Sequence, residues 1–197
     1  GSGSLFRAFH AMLQQSLIEQ GLVKGGLYTA ETFDYEIVDN TYGPYDNLSL
    51  LVTLMPDGGM KKTVVGSVAG ALRADQSFPE DWEKLKAIFH NPSLQLITFT
   101  ITEKGYALTG LDGGFTPLAE KDFAAGPETC VSTMGKVAAL LLERYKAGKY
   151  PMAVVSTDNC SRNGEKIRSS VVAMVDKWVE NGFASKDFSA WVKDEAN

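Results

Sequence analysis

The chain has 197 residues, 44% of them hydrophobic and 22% charged, which is typical of one globular domain with a substantial core. A net charge of -5 and a pI near 5.1 argue against nucleic-acid binding, which needs clustered lysine and arginine. No apolar run reaches the roughly 18 to 20 residues of a membrane helix. Two histidines and two distant cysteines exclude a His/Cys metal cluster. We expect Cys130 and Cys160 to be reduced thiols in a cytoplasmic protein.

The first third of the sequence predicts a helix, a short strand and a β-hairpin. Residues 5–20 carry apolar side chains at helical spacing, and Gly21 follows as a stop signal. Residues 26–31 have the composition of a short strand. Residues 48 to about 70 contain two β-rich runs around the turn sequence Pro-Asp-Gly-Gly at 56–59, and therefore predict a hairpin. The expected helical stripe consists of Leu5, Phe9, Met12, Leu13 and Leu17.

Strands alternate with helices in the rest of the chain. Apolar runs at 93–101 and 150–156 predict two strands that are buried on both faces. This alternation predicts an α/β fold, with a mostly parallel sheet flanked by helices and a β-hairpin insert. In such sheets, ligands bind beyond the carboxyl ends of the strands. Helices are predicted at 78–90, 128–147, 164–182 and 186–194, with a glycine-rich loop at 105–126.

The peptide G-S-G-S at residues 1–4 opens the first helix. Glycine at positions 1 and 3 would let the backbone approach a pyrophosphate, whose charge the amino end of the helix stabilises. Phe6 stands where the usual fingerprint has its third glycine, and no strand precedes Gly1 in the sequence. The peptide is also typical of a cloning linker, so on these residues alone both interpretations stay open.

Acidic residues follow the strand at 26–31. A carboxylate at this place commonly accepts hydrogen bonds from an adenosine ribose, and Glu31 occupies it with Asp34 close by. Two acids would also repel a 2'-phosphate, which favours NAD over NADP. The alternative is that Glu31 is a solvated loop acid.

Polar residues also follow the strand predicted at 93–101. Thr102 and Glu103 emerge where a nicotinamide or its ribose could lie, so we assign both to cofactor binding. Lys104 could act as an amine base, although a solvated lysine paired with Glu103 is the simpler interpretation.

The loop at 154–166 places polar side chains after an apolar run. The amide of Asn159 stays neutral at every working pH, and at the end of a strand it could stabilise an oxyanion. We assign Asp158 to the cofactor contacts. The alternative is a capping loop, in which Asp158, Asn159, Ser161 or Asn163 accepts the first amides of the next helix.

Together these stretches resemble the long-chain mannitol dehydrogenase family of polyol and hexuronate oxidoreductases. The residues that carry the resemblance are 1–11, with the family pattern G-x-G-x-F-x-R, and 31–52, 92–106 and 154–166. The matches follow in the right order over nearly the whole chain, and four separated matches are more specific than a lone glycine pattern.

The resemblance implies a metal-independent NAD(P) oxidoreductase whose amino-terminal, Rossmann-like domain is residues 1–197. It places Gly1, Gly3 and Arg7 on the nucleotide loop, Glu31 on the ribose and Asn159 in the oxyanion-binding pair. The substrate would be a polyol or sugar acid, with NAD rather than NADP as cofactor and no nucleic-acid or membrane partner. The oligomeric state is unknown.

Two departures from the family pattern bear on activity. The strand before the glycines is missing, and so is the helical second domain, which in the family carries the lysine general base with a nearby asparagine and histidine. We therefore expect the isolated chain to be inactive, and Lys104 is not expected to replace the missing lysine. The alternatives are a dinucleotide-binding module without catalysis, or an unrelated methyltransferase-like fold.

Overall fold

The computed structural model describes residues 1–196, which form two compact units. The first unit is Gly1–Arg73, and the second begins at Ala74. Each unit contains one pair of parallel strands together with helices, as the alternation of elements predicts. Within residues 1–196, no helix is both long enough and apolar enough to cross a membrane.

The first unit is built on the parallel pair β1 (Leu27–Glu31) and β4 (Val68–Arg73). A helix precedes this pair, beginning as a π-helical segment (Phe6–Ala11) and continuing as α1 (Met12–Glu19). A second π-helical segment (Val38–Tyr42) and a 3-10 turn (Gly43–Tyr45) follow β1. The core contains Phe6, Ala11, Tyr42, Val65 and Val68.

The first helix buries a different face from the one that the apolar stripe predicts. Phe6 and Ala11 are buried, and Met12 packs against the same core. Phe6 and Ala11 lie five residues apart, which is the i→i+5 spacing of a π-helix. The wider turn rotates the buried face away from the 3.6-residue period on which the prediction rested, so that prediction is wrong. The exposed members of the stripe are Leu5, Phe9, Leu13 and Leu17.

The hairpin is shorter than its prediction. It consists of β2 (Ser49–Leu54) and β3 (Met60–Val65), which pair in antiparallel fashion. Ser67 then redirects the chain, because its hydroxyl donates to the Ala11 carbonyl at 2.6 Å and its carbonyl accepts the Leu27 amide at 2.8 Å. The residues after Ser67 form β4 beside β1, so the prediction of a hairpin up to about residue 70 is wrong beyond β3.

The second unit pairs β5 (Leu96–Phe99) with β6 (Ala153–Ser156) in parallel. Leu96 is 51% exposed and Val155 is 38% exposed, so the prediction that both faces are buried is wrong. The helices of this unit leave alternate side chains of the two-stranded ladder uncovered. The helices are α2 (Pro79–His90), α3 (Glu103–Tyr106), α4 (Pro117–Ala125), α5 (Thr133–Gly148), α6 (Asn163–Glu180) and α7 (Lys186–Lys193), with a 3-10 turn at Gly126–Glu128.

Two short helices, α3 and α4, lie in the region predicted as a glycine-rich loop. Helix α4 has ordinary start signals, since the Thr116 hydroxyl accepts the Ala119 amide at 3.2 Å and proline follows Thr116. Helix α5 begins five residues later than predicted because Ser132 caps it by accepting the Gly135 amide at 3.0 Å.

A buried arginine joins the helices of the second unit to its strands. Arg144 of α5 is fully buried, and among residues 1–196 its guanidinium donates only to backbone carbonyls. These carbonyls belong to the end of α2 and to the approaches of β5 and β6, so one side chain fixes where both strands begin. The acceptors are Phe89, Asn91, Leu94, Tyr150 and Pro151, at 2.7 to 3.1 Å.

Candidate functional site

The glycine loop lies against the carboxyl end of β1 in the first unit. The Thr29 hydroxyl donates to the Gly1 carbonyl at 3.2 Å, and the Ser2 hydroxyl donates to Glu31 Oε2 at 2.5 Å. On the other side, the Arg7 amide donates to the Gly3 carbonyl at 3.2 Å and so joins the loop to the first helical turn. The structure therefore brings together Gly1, Gly3 and Glu31, three of the predicted cofactor residues.

Glu31 is ionised in this setting. Burial opposes the charged form, but hydrogen bonds from the Ser2 hydroxyl and from the Phe33 and Thr32 amides outweigh it and lower the pKa of Glu31. Both amides donate to Oε1, at 3.1 and 3.0 Å. A carboxylate has about four lone-pair sites, so one remains for a further donor such as a hydroxyl group.

Gly3 fits close approach of a ligand. A Cβ built at this position would have no heavy atom of the described residues within 4 Å, and the backbone does not adopt a positive φ. Neither packing nor backbone conformation therefore requires glycine here. A pyrophosphate resting on the loop amides would require it, because a side chain would hold the phosphates away.

The side chains of Arg7 and Asp34 are not hydrogen-bonded to Gly1, Ser2 or Gly3 in the part of the chain that the structure describes. The Arg7 guanidinium lies 6.0 Å from the centre of the Tyr42 ring and donates to the Ser4 hydroxyl at 3.3 Å. Its side chain is partly exposed, so its charge is available to an anion. Asp34 is exposed. Arg7 also lines an open cleft of about 900 Å³, together with Ser4, Asn40, Tyr45, Leu48 and Leu50.

Two residues of this site escaped the sequence analysis. Tyr42 is buried, and its hydroxyl donates to the Ser2 carbonyl at 2.6 Å. Burial raises the pKa of Tyr42 to about 12, so it stays a neutral donor. Ser2 itself is fully buried between the loop and Glu31. Its place between two glycines was a usable signal, whereas nothing local pairs Tyr42 with a residue 40 positions away.

The second group of predicted residues lies in the loop between β6 and α6. Asp158 accepts from the Tyr106 hydroxyl through Oδ2 and from the Cys160 amide through Oδ1 at 3.1 Å. The Asn163 amide group donates to the Asp158 carbonyl at 3.0 Å and to Oδ1 at 3.3 Å. Asn159 stands inside this ring of contacts with an exposed side chain, which forms no hydrogen bond within residues 1–196.

The Tyr106–Asp158 pair consists of a carboxylate and a neutral phenol. Burial opposes ionisation of Asp158, but the hydrogen bonds from Tyr106, from the Cys160 amide and from Asn163 lower its pKa. Burial, and then the bond to Asp158, raise the pKa of Tyr106. The proton therefore stays on the tyrosine near neutral pH.

The capping interpretation of this loop is correct for only one residue. Asn163 accepts the Gly164 amide at 2.8 Å, within the first turn of α6. Asp158 directs its carboxylate to Tyr106 and the loop, and Asn159 accepts no helix amide in the part of the chain that the structure describes. Arg162, in the left-handed conformation with φ of 54°, occupies the N-cap position without a side-chain cap bond among the described residues.

Thr102 and Glu103 lie at the start of α3, after β5, and both are exposed. The interpretation that Lys104 pairs with Glu103 is wrong, because Glu103 forms its ion pair with Lys166 of α6. Glu103 and Lys104 are adjacent residues of α3, and adjacent side chains on a helix do not face each other. Lys166 of α6 is therefore better placed than Lys104 to pair with Glu103. No group of three or more His, Cys, Asp or Glu side chains in residues 1–196 is arranged to hold a metal ion.

The chain is similar to known proteins over most of its length. The model of the mannitol dehydrogenase Rossmann domain matches residues 1–197. The chain is 50% identical over 188 residues to D-mannonate oxidoreductase of Thermotoga maritima, covering 95% of this chain and 35% of that protein. It is 30% identical over 151 residues to mannitol 2-dehydrogenase of Cereibacter sphaeroides, covering 75% of this chain and 29% of that protein. The chain thus spans about a third of the length of these curated relatives.

Solved structures confirm the predicted α/β, Rossmann-like fold class. The ternary complex of Pseudomonas fluorescens mannitol 2-dehydrogenase with NAD and D-mannitol matches with a TM-score of 0.76 at 25% identity, over 98% of this chain and 38% of that chain. Substrate-free D-sorbitol dehydrogenase matches with the same TM-score at 23% identity, over 98% of this chain and 39% of that chain. The chain therefore belongs to the mannitol dehydrogenase family, as the resemblance predicted, and residues 1–197 match its Rossmann domain.

Proposed function

We propose that residues 1–197 are the cofactor-binding portion of an NAD-dependent oxidoreductase that interconverts a polyol or sugar acid with the corresponding ketose or keto-acid. The observation that carries this proposal is the glycine loop held over Glu31 at the end of β1, with open space beside Gly3. The 50% identity to a D-mannonate oxidoreductase favours a sugar acid over an uncharged polyol.

The first unit would hold the cofactor through three kinds of contact. The loop amides and Arg7 would bind the pyrophosphate, and the remaining acceptor site of Glu31 would take a ribose hydroxyl. Glu31 and the nearby Asp34 would repel a 2'-phosphate, which supports NAD rather than NADP. Bound NAD supplies the capacity for hydride transfer at its nicotinamide ring.

Four residues of the second unit are proposed to contact the nicotinamide or the substrate. Thr102, Glu103 and Asp158 follow the carboxyl ends of β5 and β6, where contacts to the nicotinamide half are expected. The exposed amide of Asn159 would donate to the substrate oxygen as its hydroxyl loses a proton. Removing one donor of this kind typically lowers the rate by about a hundred- to a thousandfold.

The proton of the substrate hydroxyl needs a base. The family resemblance places a lysine base in a second, helical domain, and about two thirds of the length of the relatives lies outside the matched region. We therefore assign turnover to a longer polypeptide, with residues 1–197 supplying cofactor binding and the Asn159 donor. The isolated chain should bind NADH and show no turnover.

Two measurements test the proposal. Calorimetric titration of the chain with NADH and NADPH should give the tighter binding for NADH. In the complete protein, Asn159→Ala should keep the NADH affinity and lower kcat with D-mannonate and NAD by about a hundred- to a thousandfold. Ser161→Ala is the matched control, because Ser161 is exposed in the same loop. Unchanged kcat in Asn159→Ala would remove the oxyanion role, and equal or tighter NADPH binding would remove the preference for NAD.

A further inference from the structure

A buried tyrosine reaches the loop that carries Asn159. Tyr106, at the end of α3, is only 1% exposed, and its hydroxyl donates to the Asp158 carboxylate 52 residues further along the chain. The Ser170 hydroxyl of α6 donates to the Tyr106 carbonyl at 2.6 Å, so the backbone and the ring of Tyr106 are both fixed. One rigid side chain therefore connects α3 and α6 to the loop after β6.

Asp158 connects Tyr106 to the backbone on both sides of Asn159. Its carboxylate accepts the Cys160 amide, and its carbonyl and carboxylate both accept from Asn163. The residue before Asn159 and the residue after it are thus linked by one carboxylate. Before this loop, Thr157 is tied to β5, since its amide and hydroxyl donate to the Phe99 carbonyl at 2.8 and 2.9 Å.

Asn159 has no comparable support of its own. Its side chain is exposed and makes no hydrogen bond to the part of the chain that the structure describes, so its direction is set only by the loop backbone. A donor stabilises a developing charge only when it is held in place before the reaction. The contacts of Asp158 therefore help to orient the Asn159 side chain, although Asp158 makes no hydrogen bond to that side chain in the described residues.

We propose that Tyr106 is a positioning residue that acts through Asp158 to aim the amide of Asn159. This inference rests on the proposed oxidoreductase function and adds a residue to it. Without the phenol, the Asp158 carboxylate would lose its connection to α3 and α6, and the Asn159 backbone could turn away from the reacting oxygen. A misplacement of about 1 Å typically costs on the order of a hundredfold in rate.

The test is a double-mutant cycle in the complete protein. Tyr106→Phe removes only the hydroxyl and should lower kcat about ten- to a hundredfold, while NADH affinity stays unchanged and KM shifts less than about threefold. In an Asn159→Ala background, the same substitution should lower kcat little further, because two residues that act as one unit are not additive. A merely structural tyrosine would leave kcat alone or lower it equally in both backgrounds.

Two further variants complete the test, one as a control and one as a second way to alter the Tyr106–Asp158 contact. Tyr145→Phe is the matched control, since Tyr145 packs in the same unit against Phe188 and its hydroxyl donates no hydrogen bond among residues 1–196. Asp158→Asn replaces an acceptor oxygen of the same contact by an amide donor and covers the case in which Tyr106→Phe does not fold. Because Asp158 is also assigned to the nicotinamide contacts, a loss of kcat supports the positioning role only at unchanged NADH affinity, and weakened NADH binding counts against it. Asp158→Asn should lower kcat at least about fivefold, again with little further loss in the Asn159→Ala background.

The outcomes distinguish failure of the positioning role of Tyr106 from failure of the oxyanion role of Asn159. Wild-type kcat in Tyr106→Phe, or a full repeat of its loss in the Asn159→Ala background, would overturn the positioning role. If Tyr106→Phe does not fold, the same two results in Asp158→Asn would overturn it. If Asn159→Ala loses kcat and Tyr106→Phe does not, only the inference about Tyr106 falls. If Asn159→Ala itself keeps kcat, the proposed oxyanion role falls and the positioning role falls with it.

Discussion

The open space beside Gly3 allows a substitution that separates folding from cofactor binding. Gly3→Ala adds one methyl group where no heavy atom of the described residues lies within 4 Å, and the φ angle there suits any L-residue. Such a change usually leaves stability equal or raises it by about 0.4 to 1 kcal/mol, because it restricts the unfolded chain. We therefore expect the thermal midpoint of Gly3→Ala to match or slightly exceed that of the wild type.

Dinucleotide binding should respond in the opposite direction. The added methyl would stand between the loop amides and the pyrophosphate and break one charge-assisted hydrogen bond, which is worth about 1.5 to 3 kcal/mol. That range corresponds to a roughly 10- to 150-fold rise in the Kd for NADH. Isothermal titration of NADH and thermal unfolding on the same preparations give both quantities.

Gly25→Ala provides a matched control in the same unit. A Cβ at Gly25 also meets no heavy atom within 4 Å among the described residues, and Gly25 lies between α1 and β1, away from the loop. Its NADH affinity should equal that of the wild type. If Gly3→Ala binds NADH as tightly as Gly25→Ala, the pyrophosphate does not rest on this loop, and the nucleotide assignment of Gly1, Gly3 and Arg7 fails.

Three further substitutions test electrostatics and packing. Because hydrogen bonds lower the folded pKa of Glu31, its stabilising contribution is complete above its ordinary value of 4.5 and disappears as the pH falls through the lower folded value. In Glu31→Gln, the free energy of unfolding measured in urea should therefore fall less steeply below about pH 4.5 than in the wild type. The same substitution should reduce the difference between the affinities for NADH and NADPH. An unfolding free energy with the same pH dependence as the wild type would contradict the hydrogen-bonded carboxylate. Arg144→Met leaves five backbone carbonyls without their donor and should cost about 3 to 5 kcal/mol in urea unfolding, at about 1 kcal/mol for each lost bond; a loss below 1 kcal/mol would show that water replaces the guanidinium. Gly135→Ala would drive a methyl into the buried Asp122 carboxylate, which accepts the amides at the start of α5, and should cost about 1 to 3 kcal/mol in the same assay; wild-type stability would mean that Asp122 can move.

The elements that the sequence predicted well are those whose packing follows one regular period. Helices α2 and α6 bury residues at helical spacing, and both lie within two residues of their predicted bounds. The first helix did not follow its pattern, because a π-helical turn shifts the buried face and leaves no trace in a 3.6-residue period. The end of the hairpin was also hidden, since apolar residues continue on both sides of Ser67 and only long-range hydrogen bonds divide β3 from β4.

Some features of the candidate site were also predictable from local sequence, and others were not. Gly1, Gly3 and Glu31 were predictable because a glycine loop and a strand-end carboxylate each have a local signature. Their mutual contact depends on Ser2, whose hydroxyl bond to Glu31 spans 29 residues. Tyr106 and Asp158 are 52 residues apart. Asp158 was predicted as a cofactor contact, but nothing in the local sequence pairs it with Tyr106. Local patterns therefore predicted which residues would bind a cofactor, whereas the contacts between these residues and their neighbours required coordinates.

The start of α6, just after Asn159, differs from the starts of α4 and α5. Helices α4 and α5 begin with a side-chain cap, worth about 1 kcal/mol each, whereas α6 begins at Arg162 in a left-handed conformation that costs a non-glycine residue about 1 kcal/mol or more. Asp158, a good capping residue, instead directs its acceptors to Tyr106 and to the loop. These contacts hold the backbone on both sides of the exposed Asn159 amide, as a preorganised donor requires, and this supports the proposed catalytic role of Asn159 over a capping one.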